Sequence, residues 1–405
     1  MPDLGKQIAL GEEGGSSHPA FETVGGKMKN LFTRFAAPVL LCTVATGALA
    51  DNTYTGAPRT FLFNPAQDVC FKDTSQYKKD GPYTIGFSNA GLGDSWRVVA
   101  VHSMMKAAAE NKDRIAKLII TDAGHDDSKQ VADIQDLVSR GVDLLIVSAN
   151  TAQALDPAVT RVMESGIPVV MVDRRIESDN FVTFVTASDA ISGRLFAQWI
   201  VEKLGGKGNV VMMGGQAGSS PSEIRMKTAM QVFNQYPDIK IVETVYGDWS
   251  PVKAKQVMQS MIQKYGQDID AVWSAHGLMT PGSIEAFVEA GWADGTIPPH
   301  TTADVNGPMQ LALKHKVPLL EVGYPPAMAG ESIKTALKVL EGAQVPCISE
   351  INSQIAVTEG DTTPSIDTRL RIDEMVIANG PADLLVTGGM GPDYDPTTFS
   401  IDYPQ

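Results

Sequence analysis

Residues 142–175, VDLLIVSANTAQALDPAVTRVMESGIPVVMVDRR, hold the pattern that decides the fold. Residues 142–148 are an apolar run of strand length, 156–164 have helical spacing, and 167–172 are a second apolar run. A strand, a helix and a strand in so short a span form a βαβ unit with parallel strands. Such strands are covered on both faces, which is why both runs are apolar throughout instead of alternating. The second run ends in Asp173, Arg174 and Arg175. In open α/β sheets ligands bind beyond the carboxyl ends of the strands. These charges therefore either line a solvated loop or face a ligand.

The same alternation extends in both directions. Upstream, 83–88 and 116–121 read as strands, with helices over 95–111 and 128–140. Downstream, the pattern begins again, with strands at 209–213, 240–245, 271–274, 301–304 and 319–322 and helices at 222–236, 251–265, 282–290 and 309–314. Two runs of this kind predict an α/β protein of two doubly wound parallel-sheet lobes. The link 181–188, FVTFVTAS, has no Gly or Pro and suits a crossing strand better than a loose tether. A last helix is expected over 328–341. Residues 51–80 and 380–405 read as surface extensions.

A chain of 405 residues, 43% of them hydrophobic, is long enough for two to three packed domains. A net charge of −14 argues against nucleic acid and anionic membranes as partners. Residues 28–50, MKNLFTRFAAPVLLCTVATGALA, have the form of a secretory signal peptide: a basic start, an apolar run and a small-x-small cleavage site before Asp51. The run is too short for a transmembrane span. Leu41 before Cys42 argues against a lipoprotein. The polar stretch 1–27 is then expected to be a mis-assigned start, with Met28 the true one, or an extra leader. The remaining cysteines, Cys70 and Cys347, are either a disulfide or two buried thiols.

Polar clusters gather where the strands end. Asp94, Ser95, Trp96 and Arg97 follow the first strand, and Asp173 and Arg174 follow the fourth. In the second half, GGQAG (214–218) precedes Arg225, His276 follows the strand AVWS, and Asp304 follows the next strand. Two lobes facing each other would bring these sets around one polar ligand. Hydroxyl groups donate and accept at once, so carboxylates and planar guanidinium forks suit them. Trp96 offers a flat face to a sugar ring. The alternatives are plain ones. Asp94 and Asp304 could be helix caps, Arg225 a solvated helix residue, Trp96 a core residue and Arg175 a surface charge. GGQAG could hold a phosphate, although it is not a full dinucleotide motif.

Several stretches together resemble the ribose-type family of periplasmic sugar-binding proteins, the type I solute-binding components of ABC importers, and within it the galactofuranose-binding branch. They are GFSNAGLGDSWR (86–97), VDRR (172–175), FVTFVTASD (181–189) and YGDWSPVKAKQVMQSMI (246–262). The resemblance covers 83–358. It implies a periplasmic binding protein type I fold with three hinge crossings. The lobes would be 51–184 with 324–351, and 185–323 with 352–405. It also implies sugar contacts from Asp94, Ser95, Trp96, Arg97, Asp173 and Arg174 on the first lobe and from Arg225 and Asp304 on the second. Two departures alter the pocket floor: His276-Gly277 where the family commonly has Asn-Asp, and Gly323-Tyr324 where many members place a Gln.

The expected function is capture of a sugar or polyol in the periplasm and delivery to an ABC membrane permease, as a monomer without cofactor or metal. The alternative is a co-receptor that presents a ligand to a sensor kinase or chemoreceptor. A transcription regulator is excluded by the leader and by the lack of a helix-turn-helix. No G-x-S-x-G, H-E-x-x-H or Cys-His pairing suggests an enzyme.

Overall fold

The computed structural model describes residues 70–390 and 394–405. The proposed leader and signal peptide lie outside the described residues. Among those residues no helix is long and apolar enough to cross a membrane.

Two six-stranded sheets form the frame. The first contains β2 (Tyr83–Asn89), β3 (Ile115–Asp122), β4 (Leu144–Ser148), β5 (Val169–Val172), β6 (Thr183–Thr186) and β13 (Ile348–Glu350), in the order β13-β6-β5-β4-β2-β3 and parallel throughout. The second contains β7 (Gly208–Gly214), β8 (Ile239–Tyr246), β9 (Ala271–Ser274), β10 (His300–Thr302), β11 (Leu319–Val322) and β14 (Ile355–Val357), in the order β14-β11-β10-β9-β7-β8. Only β14 runs antiparallel in it. The matching orders mean that β5 and β10 hold equivalent places. β4, β5, β6, β9, β10 and β11 are buried at every residue, as doubly covered strands must be.

Helices cover both sheets. On the first lobe these are α1 (Ser95–Glu110), α2 (Asp127–Ser139), α3 (Ala152–Glu164) and α9 (Met328–Leu340). On the second they are α4 (Asp189–Lys203), α5 (Ser220–Phe233), α6 (Pro251–Tyr265), α7 (Thr280–Glu289) and α8 (Asn306–His315). Helix α3 starts a turn earlier than the sequence suggests. Pro157 marks the first turn of many helices, but here it sits inside one.

The chain passes between the sheets from β6 to α4, from β11 to α9 and from β13 to β14. A fourth passage was not expected. The sequence assigns 352–405 to the second lobe, but residues 394–405 lie on the first. Pro404 O accepts from Leu118 N at 2.8 Å on edge strand β3. The Tyr394 hydroxyl lies 2.7 Å from His102 Nδ1, and Phe399 stacks on His102 at 4.2 Å. The physical reason is that an edge strand carries unpaired N–H groups and the flank of α1 an imidazole that offers both a stacking face and a hydrogen bond, which this segment covers. The described part of 51–80, from residue 70 onward, is likewise more than an extension: β1 (Phe71–Lys72) pairs with β12 (Val345–Pro346), and Cys70 is bonded to Cys347 across a Cα separation of 5.3 Å. That is a usual disulfide spacing.

Candidate functional site

The carboxyl ends of both sheets meet in a cavity, the usual place for a ligand in open α/β sheets. Asp94, Trp96, Arg97, Asp173 and Arg174 line it from the first lobe, and Arg225 and His276 from the second. Tyr324 closes it at the β11–α9 crossing. All of these were read from the sequence. Ser95 and Asp304 were read too, but they are not part of the lining.

The first-lobe wall is a charged network. Asp94 caps α1, its Oδ1 accepting from Arg97 N at 2.9 Å. This holds Arg97 on the first helical turn, where its Nη2 meets Asp173 Oδ2 at 2.7 Å and its Nη1 donates to Ser148 Oγ at 2.9 Å. Ser148 Oγ in turn donates to Asp173 Oδ2 at 3.1 Å. Arg174 is buried, and its Nη1 donates to Asn150 O and Gln216 Oε1, both at 3.2 Å. Its Nε, 3.8 Å from Asp173, has no hydrogen-bond partner. Burial, and then the neighbouring Arg97, push the Arg174 guanidinium down to about 9, which still leaves it charged at neutral pH. Buried donors of this kind normally find partners, so this one stands out in the cavity wall. Trp96 is both core and lining. Its Nε1 donates to Tyr324 O at 2.7 Å, and its ring stacks on Tyr324 at 5.9 Å.

The second-lobe wall has a different character. Arg225 is neither solvated nor free. Its Nε donates to Asp189 Oδ1 and its Nη1 to Ala275 O, each at 2.8 Å, and the guanidinium sits 4.2 Å from the Tyr324 ring. Burial lifts Asp189 up to about 6 despite the pull of Arg225. His276 Nδ1 accepts from Leu278 N at 3.3 Å, and its Nε2 lies 3.2 Å from Asp304 Oδ2. The Tyr324 hydroxyl donates to Asp173 O at 3.0 Å and lies 3.1 Å from Thr186 Oγ1. Burial raises its pKa well above the usual tyrosine value.

Asp304 is fully buried, and its Oδ1 accepts from Tyr324 N and Thr387 Oγ1, both at 2.7 Å. It is thus no helix cap; the Val305 that follows it offers no side-chain cap to α8. Ser95 Oγ is buried and unpaired but lies outside the lining. Arg175, expected on the surface, pairs with Asp179 at 2.6 Å. Its backbone N–H donates to Ser220 Oγ at 2.9 Å across the cleft.

Trp249, Pro221 and Leu278 also line the cavity and were missed. Asp248 and Trp249 both have positive φ, 51° and 55°, an uncommon pair for residues other than glycine and of the kind that gathers at functional sites. A Cβ on Gly215 would fall 2.0 Å from the Trp249 ring. Gly215 is therefore a glycine to admit an indole, whereas Gly214 faces Met226 Sδ and Gly218 has φ 77°. The signal was in reach: a double glycine after one strand, facing an aromatic after the next. The Trp249 Nε1 is buried and unpaired.

The lobes also bond directly at the rim. Gln216 Nε2 donates to Asn150 Oδ1 at 3.1 Å, and Ala152 N donates to Gly218 O at 2.9 Å. The arrangement is closed.

A family model described as a periplasmic binding protein domain matches residues 85–344. The chain belongs to this family. The galactofuranose-binding protein of Escherichia coli (strain K12) is 31% identical over 220 residues, covering 53% of this chain and 68% of that protein. The ribose import binding protein of Bacillus subtilis (strain 168) is 31% identical over 209 residues, covering 52% of this chain and 67% of that one. The crystal structure of a galactofuranose binding protein has a TM-score of 0.62 and 28% identity, covering 70% of this chain and 95% of the other. The periplasmic binding protein fold of two parallel-sheet lobes, read from the sequence, is thus the observed one, and the relatives are sugar-binding transport proteins, not enzymes.

Proposed function

We propose that this periplasmic binding protein is exported, captures one sugar or polyol between its lobes and delivers it to the permease of an ABC importer. The observation that carries this reading is the unpaired Nε of Arg174 beside the Arg97–Asp173 pair, in a cavity enclosed by both lobes. Charge-assisted hydrogen bonds to hydroxyls contribute about 1.5–3 kcal/mol each. A few of them support micromolar binding, about 8 kcal/mol, after the costs of association. Binding would be coupled to movement: contacts from both lobes favour the closed state, which a permease recognises. The name of the ribose import binding protein favours import over presentation to a sensor kinase.

A thermal-shift screen of the purified chain against galactofuranose, ribose, xylitol and other pentoses, hexoses and polyols tests the reading. Ligand at 100 times its Kd should stabilise the protein by about 2.7 kcal/mol. A uniformly flat screen contradicts it.

A further inference from the structure

The two walls offer a ligand different chemistry. The carboxylates in the lining, Asp94 and Asp173, both belong to the first lobe. The second lobe contributes Pro221, Leu278, Trp249, His276 and Arg225. Of these, Trp249 Nε1 is an unpaired donor, Arg225 can only donate, and His276 Nδ1 accepts from Leu278 N at 3.3 Å, which leaves Nε2 to carry the proton of the neutral ring. Asp304, the acid that could have served this wall, is held in the interior by Tyr324 N and Thr387 Oγ1. The second lobe therefore presents donors and apolar surface, and no lining side chain with a free acceptor for a hydroxyl proton.

We propose that the ligand is a sugar with one edge free of hydroxyls, a deoxy sugar whose methyl group lies against Leu278 and Pro221 while its hydroxyls face the first lobe. This rests on the carbohydrate reading above. A hydroxyl turned to the second lobe would find no side-chain acceptor for its proton, which is unfavourable, whereas a methyl there is removed from water, which is favourable. An acceptor-only atom such as a ring oxygen can take the Trp249 N–H without needing an acceptor in return.

Matched pairs that differ only at carbon 6 test this by calorimetry on the full chain: D-fucose against D-galactose, L-rhamnose against L-mannose, and the furanose forms of the first pair. In a pair that binds, the deoxy member should bind about tenfold tighter. Leu278→Asn, which adds an acceptor to this wall, should erase or reverse that preference in the folded protein, checked by its circular dichroism. Equal or tighter binding of the hydroxylated member overturns the proposal, as does an unchanged ratio in Leu278→Asn. Blank titrations with every pair also overturn it. Ribose or xylitol binding alongside those blanks leaves the carbohydrate reading standing, and their failure too removes both.

Discussion

Asp173 and Asp304 occupy equivalent places in the two lobes, and they do opposite things. Each follows the equivalent strand, β5 or β10, and each has a left-handed backbone, φ 60° and 62°. Each is the centre of a tight three-residue turn, closed by Arg174 N to Val172 O at 2.6 Å and by Val305 N to Ala303 O at 2.7 Å. The carboxylate of Asp173 lines the cavity and holds Arg97. The carboxylate of Asp304 is turned inward onto Tyr324 and Thr387. The difference comes from the C-terminal segment, which supplies Thr387 and bridges Val305 through Leu385. A repeated backbone turn thus serves as a binding group in one lobe and a structural one in the other, according to what covers it.

The largest expected effect separates the two roles. Asp304→Ala strands the buried Tyr324 N–H and leaves the Thr387 hydroxyl only Glu321 Oε1 at 3.2 Å, and should cost the unliganded protein about 2–3 kcal/mol in urea unfolding. A loss under 1 kcal/mol would break the comparison. Next in size, Arg174→Ala removes the donor beside Asp173 and should weaken sugar binding by about 10- to 100-fold in calorimetry, with unliganded melting close to that of the parent. If the empty variant instead unfolds many degrees earlier, Arg174 is structural.

The smallest effect is a slope. Glu321 is fully buried beside Asp304, and burial, then the Asp304 charge, raise its pKa well above the usual glutamate value. A carboxyl whose folded pKa is raised binds protons more tightly in the folded state, so its contribution to stability is present at low pH and is lost as pH rises above about 4.5. Glu321→Gln should flatten that fall in urea midpoints measured between pH 5 and 9. An unchanged slope would mean that the acid next to Asp304 does not hold its proton.

The strands and most of the lining were legible because they depend on local signals. Apolar runs marked the sheets, and polar clusters at strand ends marked Asp94, Arg97, Asp173 and Arg174. What escaped depends on distant partners. Asp304 is buried by Thr387, 83 residues later. Cys70 meets Cys347 across 277 residues. The return of 394–405 to the first lobe is fixed by a free strand edge and one histidine ring, which no periodicity encodes. Trp249 was within a quoted stretch, but its orientation depends on two left-handed residues and on Gly215 in another loop.

The most direct test is the affinity of Asp173→Asn and Asp304→Asn for the tightest-binding sugar of the screen, measured by calorimetry on folded protein. The account predicts at least tenfold weaker binding for Asp173→Asn and less than about threefold for Asp304→Asn, whose amide oxygen still accepts from Tyr324 and Thr387. Equal losses, or a larger loss for Asp304→Asn, would contradict it.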